Sequence, residues 1–195
     1  MNREEWLQKA TSELRKVFER DQVKVPPIHV SVGWPSRGGV SQKRRTVGQC
    51  WDSQTSADGV PHVFISPVLE DAVDVLATLA HEMIHAVCGS EEGHKGEFVR
   101  IAKEFGFTSP WTQTPMGEDA EGRLCKVADS LEPYPHVKLT PTTKERKPQT
   151  TRMKLIKCVS DECGYQVRTT QKWIDVGLPT CVCGEEMGLD EHPPA

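Results

Sequence analysis

The stretch from Val68 to Cys88 constrains the fold more than any other part of the chain. Ala72, Val75, Leu76, Leu79, Met83 and Val87 recur at three- and four-residue spacing, so a helix here buries one continuous stripe. Asp74, Thr78, His81 and His85 fall on a different face of the same helix. Within it His81-Glu82-Met83-Ile84-His85 matches the pattern H-E-x-x-H. Residues four apart on a helix are neighbours, so both imidazoles reach one metal ion. Glu82 sits one step round, beside the ion, placed to take a proton from a zinc-activated water.

Two histidines leave such a site short, because catalytic zinc has three protein ligands and an open position. His94 is the expected third ligand. It follows the Gly89-Ser90 turn near the start of the next helix, and Gly93 and Gly96 let the backbone come close. Phe98, four residues on, is expected to pack inward and orient that turn. Glu91, Glu92 and Glu97 are acidic competitors for the position. Asp74 and Thr78 are candidates for hydrogen bonds to the histidine N–H groups.

Around this helix the pattern alternates between helix and strand, an α+β arrangement. Residues 2–20 form an amphipathic helix ended by Pro26-Pro27. Short strands are expected at Ile28–Val32, Arg45–Trp51 and His62–Ser66, with turns at Ser36–Gly39 and Ala57–Gly59. Further helices are expected at Lys95–Phe105 and near Glu118–Ser130. The domain reading is a core over 1–135, a basic Pro- and Thr-rich linker over 136–152, a cysteine segment over 153–189 and a tail over 190–195.

Cys158 and Cys163 precede Gly164, and Cys181 and Cys183 precede Gly184. Two cysteine pairs about twenty residues apart outline a zinc ribbon holding a structural zinc ion. The spacings, C-x4-C and C-x-C, depart from the regular C-x2-C knuckle, and His192 is an alternative ligand. Tyr165–Ile174 is expected to supply ribbon strands, with Trp173 in their core. Cys50, Cys88 and Cys125 are expected to be buried as small apolar side chains.

The formal net charge of −4 gives no global attraction to nucleic acid. Any such contact is local: Lys144, Arg146, Lys147, Arg152, Lys154 and Lys157 make a basic arm that Arg168 and Lys172 extend onto the ribbon, a candidate contact for DNA; the alternative is a solvated linker face, its charge offset by Glu185, Glu186, Asp190 and Glu191. No apolar run suits a signal peptide or a membrane span, so a cytoplasmic protein without a membrane partner is expected. In that compartment the cysteines serve as thiols or metal ligands rather than as disulfides.

The stretch HEMIHAVCGSEEGHKGEF resembles the SprT-like family of zinc metallopeptidases, which includes Spartan-type DNA–protein crosslink proteases, and its small phage and bacterial members most closely. The upstream QCWDSQTSADGVPHVFISP and the downstream PYPH fit the same pattern. The resemblance implies a zincin-like core of helices and an antiparallel sheet, followed by the ribbon. It implies His81, His85 and His94 as ligands of a catalytic Zn2+, Glu82 as the acid/base, a protein or peptide substrate, and a role in DNA repair, in the host cytoplasm for a phage protein. It also makes His62–Ser66 an edge strand beside the cleft, able to pair with an extended substrate. His62, His136 and Tyr134 are candidates to stabilise the tetrahedral intermediate, with nothing to choose among them. The alternative reading is a nucleic-acid-binding adaptor that uses the peptidase-like core as a scaffold.

Overall fold

The structure is a computed structural model describing residues 1–41, 43–141 and 153–189. It is mixed α+β and divides into two compact units, Met1–Thr143 and Lys144–Ala195.

The first unit opens with α1 (Arg3–Arg20). Asn2 and Glu5 form a reciprocal capping box at its start, satisfying two backbone donors that a helix end leaves free. Trp6, Leu7, Ala10, Leu14, Val17 and Phe18 face inward. Next come β1 (His29–Val32), β2 (Gly48–Trp51) and β3 (His62–Ile65). They form one sheet in the order β1-β3-β2, with β1 parallel and β2 antiparallel to β3. The sheet is therefore mixed, not antiparallel throughout. The segment from residue 33 to 47 carries the chain past β3, so β1 and β2 flank it from opposite sides. That placement also corrects the expected edge: His62–Ile65 is the central strand, and β2 is the edge.

α2 (Ala72–Cys88) begins later than its apolar pattern suggests. Asp71 accepts hydrogen bonds from the N–H groups of Val73 and Asp74 and caps the helix, leaving residues 68–70 in the turn after β3. Val75, Leu76, Leu79 and Met83 are fully buried, as the stripe requires. The helix stops at Gly89, whose φ of 81° suits glycine. α3 (Gly96–Phe105) and α4 (Glu118–Asp129) complete the core, which joins α1, the inner face of the sheet and α2. Residues 136–139, expected as the start of a linker, pack on this unit. His136 Nε2 donates to the Pro67 carbonyl at 2.8 Å, Leu139 N–H donates to the same carbonyl, and Lys138 pairs with Glu70.

The second unit is a three-stranded antiparallel sheet in the order β5-β4-β6, made of β4 (Lys154–Cys158), β5 (Gln166–Thr169) and β6 (Met187–Leu189), with the one-turn helix α5 (Gln171–Ile174). Its buried apolar centre is Ile156, Cys181 and Met187. Trp173 is not core: it sits in α5, 58% exposed, with the Lys172 ammonium over its ring. The cations expected at 144, 146, 147 and 152, and His192, lie outside the described residues. No helix among the described residues is long and apolar enough to cross a membrane.

Candidate metal centres

His81 and His85 project from one face of α2, and His94 comes from the turn just before α3. Gly93 and Gly96, on either side of that turn, have φ of 56° and 46°, a region that glycine enters without steric cost. The three Nε2 atoms form a triangle with all sides 3.2 Å. Nitrogens at ~2.0–2.1 Å from one tetrahedral zinc ion stand about 3.3 Å apart, so this donor set fits the ion. Phe98, fully buried, lies under all three rings, with centroid distances of 5.0 Å to His81, 4.5 Å to His85 and 4.9 Å to His94. Burial pushes the His81 imidazole down to about 3 and His85 to about 4, with neighbouring imidazoles adding to the shift, and burial lowers His94 as well. All three are therefore neutral near pH 7, the form that binds metal. Glu91, Glu92 and Glu97 are not part of this cluster.

One orienting residue has no signal in the sequence. Thr114 Oγ1 lies 2.8 Å from His81 Nδ1; with Nε2 turned to the other two imidazoles, a metal at Nε2 requires the proton on Nδ1, and the Thr114 oxygen is placed to accept it. Thr114 is buried and holds a φ of 42°. A β-branched residue there stores strain on the order of 1–3 kcal/mol, a pattern common where a side chain must be aimed. The expected partners play no such role: the Thr78 hydroxyl donates to the Asp74 carbonyl of its own helix. Thr114→Val keeps the branch and removes the acceptor. It is expected to weaken zinc binding at this centre by about 10–100-fold, measured by competition with a chelator. Unchanged affinity would strip Thr114 of this role.

Glu82 is 6% exposed. Burial pushes its carboxyl up to about 8, against the opposing pull of a hydrogen bond from the Cys50 N–H. That bond follows from sheet geometry. Ser66 N–H donates to the Val47 carbonyl, so along the antiparallel ladder Gly48 and Cys50 turn their backbone groups away from β3. Gly48 is where the strand passes closest to the helix. A Cβ on it would collide with Glu82 Oε1, and would lie 2.6 Å from Thr78 Cγ2 and 2.9 Å from Glu82 Cγ.

These groups line one cleft of about 740 Å³. One wall is Arg45–Cys50, the floor carries His81, Glu82, His85 and His94, and the other wall is Thr112–Met116. The three residues considered as donors to a reaction intermediate are elsewhere. His62 is on the opposite face of the sheet, His136 bonds Pro67, and the Tyr134 ring packs on Trp6 at 4.7 Å with its hydroxyl buried and unpartnered. Cys50, Cys88 and Cys125 are only half-buried, and Cys50 lines the cleft.

In the second unit Cys158, Cys163, Cys181 and Cys183 come together as free thiols. Cys158 Sγ lies 3.5 Å from Cys183 Sγ, and Cys163 Sγ lies 3.6 Å from Cys181 Sγ. Sulfurs at ~2.3 Å from a tetrahedral ion stand roughly 3.8 Å apart, so the set fits zinc despite its irregular spacing. Gly164 and Gly184 have φ of 66° and 97°, which lets each knuckle turn back. Backbone N–H groups of Ser160, Tyr165 and Glu185 point at Cys158, Cys163 and Cys183; the Glu185 N–H, with the neighbouring thiols, pulls Cys183 down to about 7, while burial and the surrounding thiols leave Cys158 and Cys163 raised. Comparison of the chain with family models, with curated proteins and with solved structures finds no match.

Proposed function

We propose that the chain is a zinc metallopeptidase of the SprT-like type, with a zincin-like core and a zinc ribbon. The observation that carries this reading is the triangle of Nε2 atoms, 3.2 Å on each side, with Glu82 beside it in an open cleft. A site that only held structure would have no use for a buried carboxylate at an open cleft. Zinc, when held by His81, His85 and His94, supplies Lewis-acid polarisation of a carbonyl and lowers the pKa of water toward ~7.

The chain's own residues do the rest. In its ionised form Glu82, aimed by the Cys50 N–H, takes the proton of the attacking water and passes it to the leaving amine nitrogen. With the Cys50 N–H held by Glu82, the outward backbone of Gly48 and the Cys50 carbonyl remain for an extended substrate to pair with, and β2 takes the part first expected of His62–Ser66. Leu69, Ala77 and Met116 give the cleft an apolar lining.

DNA-bound protein is the proposed substrate class. Lys157 and Arg168 support it, since the register of β4 and β5 puts both on the ribbon face opposite Ile156. The adaptor reading shares that support but has no use for Glu82.

The test is zinc analysis and proteolysis of a disordered protein by wild type and His94→Ala. The variant is expected to fall from about two zinc ions per chain to about one and to lose cleavage, with added DNA raising wild-type cleavage of a DNA-bound protein. Unimpaired cleavage by His94→Ala would remove the assigned site. DNA binding by a wild-type protein with no cleavage would favour the adaptor.

A further inference from the structure

The outer face of the first sheet carries donor groups that neither centre uses. β1 and β3 are parallel, with His29 directly opposite His62. Alternation along a strand sends neighbouring residues to opposite faces. Val63 and Ile65 are fully buried against the core, so His62, and His29 with it, face outward. Their ring centroids are 4.6 Å apart.

Asp58 reaches the same place from the turn before β3. Gly59, with a φ of 69°, closes that turn by donating its N–H to the Ser56 carbonyl at 3.1 Å. Asp58 Oδ1 accepts from the Val60 N–H at 3.0 Å and from the Ser56 hydroxyl at 2.5 Å. The other oxygen, Oδ2, lies 2.7 Å from His29 Nε2. The Ser56 hydroxyl also lies 3.2 Å from His62 Nε2. One donor atom from each of His29, Asp58 and His62 lies within 4.8 Å of the other two.

The geometry points to a third metal site, in which His29, Asp58 and His62 bind a borderline divalent transition cation such as zinc. Two imidazoles and one carboxylate suit zinc, nickel or copper better than magnesium or calcium, which take oxygen-rich shells. The strand register fixes the spacing of the imidazoles. Val60 and Ser56 fix the carboxylate, as hydrogen-bonded partners do around metal ligands generally. Half of each of the His29 and Asp58 side chains is exposed, so water completes the shell and the ion exchanges with solvent. His29 is on β1 and His62 on β3, so the ion would tie these two parallel strands to each other and to the turn that carries Asp58.

The site is separate from the His81 centre, and so is its test. Full-length protein carrying zinc in its tight sites is titrated with Zn2+ alone, and separately with Ni2+, by calorimetry. One further binding event per chain is expected, weakened at least about tenfold by His29→Gln, His62→Gln or Asp58→Asn, with bulk zinc content unchanged. His94→Ala should keep this event. In parallel, the ring C–H signals of His29 and His62 should shift on addition of Zn2+, while those of His136 stay in place. The ring signals decide the matter even if one variant folds poorly. No further event, an event indifferent to His29→Gln, or unmoved His29 and His62 signals would each overturn the site.

Discussion

Glu82→Gln is expected to reduce peptide-bond hydrolysis by about 10²–10⁴-fold while zinc content stays at the wild-type level. Glutamine nearly matches glutamate in shape and keeps an oxygen to accept the Cys50 N–H bond. It therefore preserves the packing between α2 and β2 and leaves the three imidazoles where they are. What it lacks is the ability to accept and return a proton. Metal analysis and cleavage of a disordered protein, run on the same preparation, separate the two properties. Wild-type cleavage in the variant would take Glu82 out of the reaction, while loss of zinc would mean that the substitution acted on structure.

Removing zinc from the four-cysteine cluster is expected to unfold residues 154–189 while leaving the first unit folded. The apolar centre of the small unit is three buried residues, Ile156, Cys181 and Met187. Val159, Trp173, Val176 and Val182 are all more than half exposed and add little. So few contacts cannot offset backbone entropy of ~1–2 kcal/mol per ordered residue. Metal binding in such small modules supplies apparent free energies of about 10–16 kcal/mol at pH 7, so here it would be the folding energy itself. Cys181→Ser, which alters the one fully enclosed ligand, should have the same effect as a chelator. Amide spectra give the readout: ribbon signals should collapse to the narrow unfolded range while those of α1 and α2 persist. A ribbon spectrum unchanged after verified zinc loss would show that the unit folds by other means.

The helices and the histidine cluster were legible in the sequence because both depend on local spacing. The α2 stripe follows from the 3.6-residue period, and the same period puts His81 and His85 side by side. His94 was accessible because two glycines mark the turn that carries it. Strand positions were legible too, but not their order. Which strand becomes the central one depends on where the segment from 33 to 47 crosses, and no short-range pattern records that. Thr114 lies 33 residues from His81, with which it bonds, and its role rests on a left-handed backbone conformation that threonine rarely adopts. The four-cysteine cluster was legible from the cysteine spacing, whereas the strands β4 and β6 around it and the exposure of Trp173 depend on the ladder. His29, Asp58 and His62 belong to separate segments, so the strand register alone reveals their meeting.

The closeness of β2 to α2 has an evolutionary side. At residue 48 the space a side chain would need is already taken by the Glu82 carboxylate. Nothing in the sheet itself forbids alanine or serine at that point, since its φ is unremarkable and strands accept both. The veto comes from the neighbouring helix. If Glu82 is the proposed base, a lineage that depends on it would hold this position bare, and one that let it drift would displace that carboxyl without touching any of the three histidines.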